Sequence, residues 1–257
     1  KLTFHQRAAI VKALAQAVMD RKEELYQLNF HTGATRKDGW IDIEGGAGTL
    51  FSMASKAKRE LPDDFILVDG PVEQISREGT FLAQHVYTPL KGLALHINAF
   101  NFPAWGLAEK AAVALLAGMP VVTKPATSSG LVAHRIVEIL VDKQVLPAGA
   151  LSLLMGGAGD LLQHVGPQDV VAFTGSGTTG ELIRGLAPVI RHSVRVNVEA
   201  DSLNAAVLGP DAEPGGETYE LFLKDVLRDM TQKAGQKCTA IRRILVPESL
   251  SERFRDD

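Results

Sequence analysis

From Leu93 onward, short apolar runs alternate with helical patterns in a way that few folds can accommodate. Leu93–Ile97, Pro120–Thr123, Leu151–Met155, Val170–Phe173, Val194–Val198 and Ala205–Leu208 read as strands. They are nearly all apolar, so both faces of each strand must be covered. Between them lie helical stretches: Ala104–Ala117, about Ser128–Lys143, a short one ending at Val165, and Ser176–Leu186. Strand, helix and strand in regular succession means an α/β fold, with a Rossmann-type parallel sheet and helices on both faces. A further amphipathic helix runs from about Glu217 to Lys233, with Tyr219, Phe222, Leu223, Val226 and Met230 on its inner side. Ile244–Val246 begins one more strand.

The segment before Leu93 is helical. Thr3 and Gln6 have capping-box spacing, and Ile10, Val11, Leu14 and Val18 trace one helical face. His31–Thr35 forms a turn, a second helix covers about Trp40–Arg59, and Leu61-Pro62-Asp63-Asp64 ends it. Phe81–Tyr87 reads as a strand, joined by Pro89-Leu90-Lys91-Gly92 to Leu93–Ile97, a strand hairpin over about 81–98. Lys1 leads straight into the first helix, and Ser251–Asp257 reads as the start of another, so both ends are expected to continue in a longer protein.

Composition narrows the function classes. A net charge of −3 gives no electrostatic case for nucleic acid or an anionic membrane, and no apolar run is long enough to span a bilayer. The single cysteine excludes an internal disulfide framework and points to the reducing cytoplasm. The seven histidines show no metal-ligand spacing, and no metal is expected.

Five places carry candidate chemistry, and each reads two ways. Cys238, in Gly235-Gln236-Lys237-Cys238-Thr239, is either a small buried residue or a nucleophile whose thiolate is favoured by the positive charge of Lys237. Phe173-Thr174-Gly175-Ser176-Gly177-Thr178-Thr179-Gly180 joins a strand to a helix; it is either a serine-capped turn or a phosphate site at a helix N-terminus. Lys124 closes a strand, as a solvated cation or as a ligand contact at the carboxyl end of the sheet. Asn101, in the Asn98–Pro103 turn, either starts the next helix or donates its amide to an oxyanion. Glu199 is either an ordinary strand-end acid or a general base.

Together these motifs resemble the aldehyde dehydrogenase superfamily in order and spacing: Asn-Phe-Pro, the Lys-Pro strand end, Phe-Thr-Gly-Ser-x-x-x-Gly, a glutamate and the cysteine. Asp42-Ile43-Glu44-Gly45-Gly46, Glu60-Leu61-Pro62-Asp63-Asp64, Glu199-Ala200-Asp201-Ser202-Leu203-Asn204 and Lys233–Arg243 resemble its phenylacetate-degradation branch, whose members oxidise semialdehydes of CoA thioesters.

The resemblance implies a cysteine nucleophile at Cys238, an oxyanion donor at Asn101 and a water-activating base at Glu199. For cofactor binding it implies Phe100, Lys124, Thr127, Gly175, Ser176 and Gly180. It implies residues 1–234 as N-terminal helices plus the dinucleotide-binding domain, and 235–257 as the start of a catalytic domain whose remainder lies downstream. It implies a small-molecule aldehyde as substrate, a CoA thioester among the options, and a homo-oligomer for the intact protein. The usual family acid three residues after the Lys-Pro lysine is Thr127 here, which favours NADP, with NAD as the alternative. A CoA-acylating dehydrogenase and a non-catalytic nucleotide-binding fragment are the competing readings.

Overall fold

The structure is a computed structural model that describes all 257 residues, Lys1–Asp257. Its N-terminal part is helical: α1 (Phe4–Asp20), α2 (Lys22–Asn29), α3 (Arg36–Gly39) and α4 (Gly45–Glu60). The Thr3/Gln6 capping box closes on α1, with Gln6 N–H donating to Thr3 Oγ1 and Thr3 N–H to Gln6 Oε1. A single turn of π-helix, Trp40–Glu44, joins α3 to α4.

Two strands, β1 (Leu67–Gln74) and β2 (Leu82–Tyr87), then pair antiparallel with each other. This corrects the hairpin expected over 81–98. The strand at 82–87 pairs backward with 67–74, while the strand at 94–97 enters a different sheet. β1 contains Gly70 and Pro71, which disguise it as a loop in the sequence, and a register irregularity falls at those residues.

The parallel sheet comes next: β3 (Ala94–Ile97), α5 (Pro103–Ala117), β4 (Val121–Lys124), α6 (Gly130–Asp142), β5 (Leu151–Leu153) and β6 (Val170–Gly175). Helices α7 (Gly177–Arg184) and α8 (Ala187–Arg191) precede β7 (Arg195–Ala200). In place of the expected short helix ending at Val165 there is one 3-10 turn, Leu161–Gln163. Strand order is β5-β4-β3-β6-β7, and β3 runs parallel to both β4 and β6. The chain therefore steps outward from β3 to β5, then returns to add β6 on the other side of β3.

Alternation along the strands divides the core. Ala94 and Val121 join the cluster of α1, α4, α5 and α6 on one face. Leu95, Val171 and Phe173 join Ile183 of α7 and Val189 of α8 on the other.

His96 lies on the α5 side, 2 % exposed, with Nδ1 unpartnered. Burial, and then the nearby Lys110 ammonium, lower its pKa from 6.5 to about 4. The folded protein thus binds fewer protons than the unfolded chain across that window, and stability must fall as pH drops through it. The expected loss between pH 6.5 and about 4 is about 3 kcal/mol. Urea titrations of wild type and His96→Gln across this range check it; the substitution should flatten the profile, and equal slopes would refute the assignment.

The chain forms two compact units, Lys1–Glu199 and Ala200–Asp257. The boundary expected at 234/235 does not coincide with this division. In the second unit, β8 (Ala205–Val207) pairs parallel with β9 (Arg243–Leu245), separated in sequence by α9 (Glu217–Thr231), and α10 (Ser251–Asp256) comes last. The β8 run thus belongs to a small separate sheet, which no local pattern could show. Leu208, Ala212 and Tyr219 form this unit's core with Phe222, Leu223 and Phe254. Met230, expected inside, is exposed. No helix is long and apolar enough to cross a membrane.

Candidate active site

The carboxyl edge of the parallel sheet gathers most of the candidate residues. Register places Ile97 of β3 opposite Lys124 of β4 and Phe173 of β6; β3 and β4 end there, and β6 runs two residues further, to Gly175. The segments at the strand ends therefore lie along one rim: Asn98–Phe102 after β3, Lys124 closing β4 with 125–127 after it, and Gly175 closing β6 with Ser176 after it. The direction of strand addition reverses between β3 and β6, and open α/β sheets bind ligands in the crevice at such a point.

On that rim, Ser176 is the N-cap of α7. Its Oγ accepts from Thr179 N–H and donates to Thr179 Oγ1 at 3.0 Å, as the bland reading of the motif requires. A cap leaves other first-turn N–H groups of a helix available, so the two readings are compatible. The glycines decide how close the helix lies. A β-carbon on Gly180 would come within 2.5 Å of Val198 Cγ1, and one on Gly175 within 2.5 Å of the Phe173 ring. Larger residues would lift α7 off β7 or distort the turn.

Lys124 is half-buried, with Nζ donating to the Pro125 carbonyl at 3.0 Å and no carboxylate paired to it. Thr127 and Phe100 are exposed at the same rim. These residues fit the adenosine and pyrophosphate of a dinucleotide: an ammonium, a hydroxyl and a glycine-bounded helix N-terminus.

The Asn101 turn is anchored from both sides. Asn98 donates Nδ2–H to Thr123 Oγ1 at 3.0 Å, tying the end of β3 to β4. Asp42, fully buried, accepts the N–H groups of Ala104 and Trp105 in the first turn of α5. A carboxylate at a helix N-terminus satisfies orphan donors and complements the helix dipole. Sequence reasoning reaches Asp42 only as part of a family-like string, without this role. The available signal is an acid flanked directly by Ile41 and Ile43.

Glu199, the penultimate residue of β7, is exposed, and Thr174 Oγ1 donates to its Oε2 at 3.4 Å. It borders an open groove of about 890 Å³ between α5 and the face of β3, β6 and β7. A strand-end carboxylate at the edge of such a groove can meet both water and a bound substrate.

Cys238 belongs to the second unit. It is exposed, in a turn, so the buried-residue reading fails. The turn is held by its backbone: Asn204 Nδ2 donates to the carbonyls of Cys238 at 2.6 Å and Ala240 at 3.1 Å. Before it, Lys233, Ala234 and Gly235 all take left-handed φ, a conformation that L side chains resist.

Lys237 does not serve the role expected of it. It is buried, with Nζ bonded to Asp229 Oδ1 at 2.6 Å and to Gln232 at 3.0 Å. Burial alone would raise the Asp229 carboxyl, but Lys237 and the Ile241 N–H outweigh it and hold it below the usual carboxylate range. The positive charge beside the thiol is spent on a structural ion pair. A basic neighbour in sequence cannot reveal that an acid eight residues earlier has claimed it.

Residues 1–257 match the family model "Aldehyde dehydrogenase family". The chain belongs to that family. It is 46% identical over 256 residues to the 3,4-dehydroadipyl-CoA semialdehyde dehydrogenase of Aromatoleum evansii, covering 99% of this chain and 50% of the relative. It is 31% identical over 260 residues to the alpha-ketoglutaric semialdehyde dehydrogenase of Bacillus subtilis, covering 100% and 50%. Among solved structures it superposes with TM-score 0.82 and 25% identity on a betaine aldehyde dehydrogenase point mutant from Staphylococcus aureus. That protein was crystallised with NAD+ and a BME-modified cysteine, and the match covers 99% of this chain and 48% of that one. This aldehyde dehydrogenase chain thus spans about half the length of the curated relatives it matches.

Proposed function

We propose that the chain carries the dinucleotide-binding part and the nucleophile of an NADP-dependent dehydrogenase. Its substrate is a CoA-thioester semialdehyde of aromatic (phenylacetate) catabolism, oxidised in the cytoplasm by a homo-oligomer to the acid. The observation that carries this reading is the carboxyl edge of the sheet, along which the Asn101 turn, Lys124, Thr127 and Ser176 follow the strand ends at the switch point. The 46% identity to a CoA-semialdehyde dehydrogenase supports the substrate class.

In this mechanism Cys238, as thiolate, adds to the aldehyde carbon and the carbonyl oxygen becomes an oxyanion. The Asn101 amide and the Cys238 N–H stabilise that oxyanion. The nicotinamide cofactor supplies the acceptor for the hydride that the resulting thiohemiacetal must lose. Glu199 then takes a proton from water, whose oxygen attacks the thioacyl carbon, releasing the acid and returning the thiolate. Lys124 holds the adenosine ribose and Ser176 the pyrophosphate.

Cofactor choice rests on Thr127. A carboxylate there would accept a hydrogen bond from a free 2′-hydroxyl but repel a 2′-phosphate. At ~4 Å and an effective dielectric of ~20, one charge pair interacts by ~4 kcal/mol, so even a screened fraction can set the preference. The test is kcat/KM for NADP and NAD with a CoA-thioester semialdehyde, in the full-length parent enzyme and its Thr127→Glu variant. NADP should be preferred by at least about tenfold, and Thr127→Glu should shift the ratio toward NAD by a similar factor. Wild-type preference for NAD, or an unchanged ratio, refutes the cofactor assignment; failure to turn over any CoA-linked semialdehyde refutes the substrate class.

A further inference from the structure

Residues 237–240 close a β-turn. Ala240 N–H donates to the Lys237 carbonyl at 3.2 Å, and Cys238 and Thr239 occupy the two central positions. The turn follows three left-handed residues in a row, Lys233 (φ 56°), Ala234 (φ 52°) and Gly235 (φ 70°). Two of these carry side chains that resist the region, and such a backbone persists only where its surroundings over-determine it.

Side chains supply that hold, and they do so by taking carbonyls. Besides the two that Asn204 Nδ2 binds, its own carbonyl accepts Arg242 N–H at 2.9 Å and Arg243 N–H at 3.1 Å. With its backbone fixed there, Arg242 sends its side chain back to the turn. One nitrogen, Nη2, donates to the Gly235 carbonyl at 2.9 Å and to the Lys237 carbonyl at 3.2 Å. The Cys238 N–H enters no hydrogen bond within the chain.

The Lys237 carbonyl and the Cys238 N–H belong to one peptide unit, planar and trans. They point in opposite directions, so whatever fixes the carbonyl also aims the N–H. We propose that Arg242 is a positioning residue: by gripping the Lys237 carbonyl it aims the Cys238 N–H at the oxyanion formed when Cys238 adds to an aldehyde. This rests on the reading of Cys238 as the nucleophile. A donor aimed before the charge develops stabilises it without reorganising during the reaction. The competing role for a guanidinium near a thiol is to favour the thiolate. The two roles separate experimentally, because alkylation by iodoacetamide needs the thiolate but forms no oxyanion.

The test uses the full-length parent enzyme, its Arg242→Met and Arg242→Lys variants, and an aldehyde that wild type oxidises. In Arg242→Met, kcat and the rate of the hydride burst should each fall by roughly 10- to 100-fold. KM should stay within about twofold, since the contact forms only in the transition state, and Cys238 alkylation within about threefold. Arg242→Lys, whose ammonium can replace one nitrogen from a shorter stem, should fall between. If Arg242→Met does not fold, Arg242→Lys decides: a slower burst with unchanged alkylation supports the role, and an unchanged burst overturns it. Alkylation that slows in step with the burst overturns the proposal, because it assigns Arg242 to the thiolate. So does a raised KM with kcat unchanged. A wild type without a burst, or a burst that survives Cys238→Ala, removes the underlying reading and the proposal with it. A Cys238-dependent wild-type burst that Arg242→Met matches removes the proposal alone.

Discussion

Replacing Cys238 by alanine is expected to abolish aldehyde oxidation by the active enzyme, lowering kcat on the order of 10⁴-fold or more. The size of the effect comes from covalent catalysis. With no sulfur to form the thiohemiacetal, a hydrated aldehyde would have to surrender hydride without its activated intermediate. Within residues 1–257 no second thiol can substitute, since Cys238 is the only cysteine there. It is also exposed on a turn whose carbonyls Asn204 holds, so alanine removes the nucleophile while leaving those backbone bonds in place. Iodoacetamide should label Cys238, and aldehyde or NADP should slow the labelling of that residue. Turnover retained in Cys238→Ala would end the covalent mechanism.

Glu199→Gln should separate the two halves of the reaction. Glutamine keeps the shape and can still accept from Thr174, whose hydroxyl donates to Glu199 Oε2, but it cannot take a proton from water. Hydride transfer should therefore occur once, and steady turnover should fall by roughly 10²–10⁴-fold. Rapid mixing with aldehyde and NADP should show a burst of reduced cofactor near one equivalent per site, then a stall. A missing burst with intact cofactor binding would mean that Glu199 acts before hydride transfer, on the thiol itself. Turnover that resumes only when CoA is added would show that a thiol, and not water, resolves the thioacyl enzyme.

The features that can be read from the chain alone are those set by neighbours in sequence. In Val121–Lys124, Val121 packs on one face of the sheet and Val122 on the other, so adjacent apolar residues record that both faces are covered. The turns that end them carry Asn101, Lys124 and Ser176, so one carboxyl rim is implied once the strands are known to be parallel. The exposure of Cys238 is legible in its polar neighbours. Partner choice across long separations is not. Only the tertiary structure paired 67–74 with 82–87, drew 205–207 to 243–245, and set the Asp42 carboxylate under the first turn of α5. It also gave Lys237 to Asp229. Periodicity and turn chemistry are local and survive in a string of letters. A hydrogen bond or an ion pair depends on which two distant groups the packed chain brings within reach, and that is decided only when the whole unit folds.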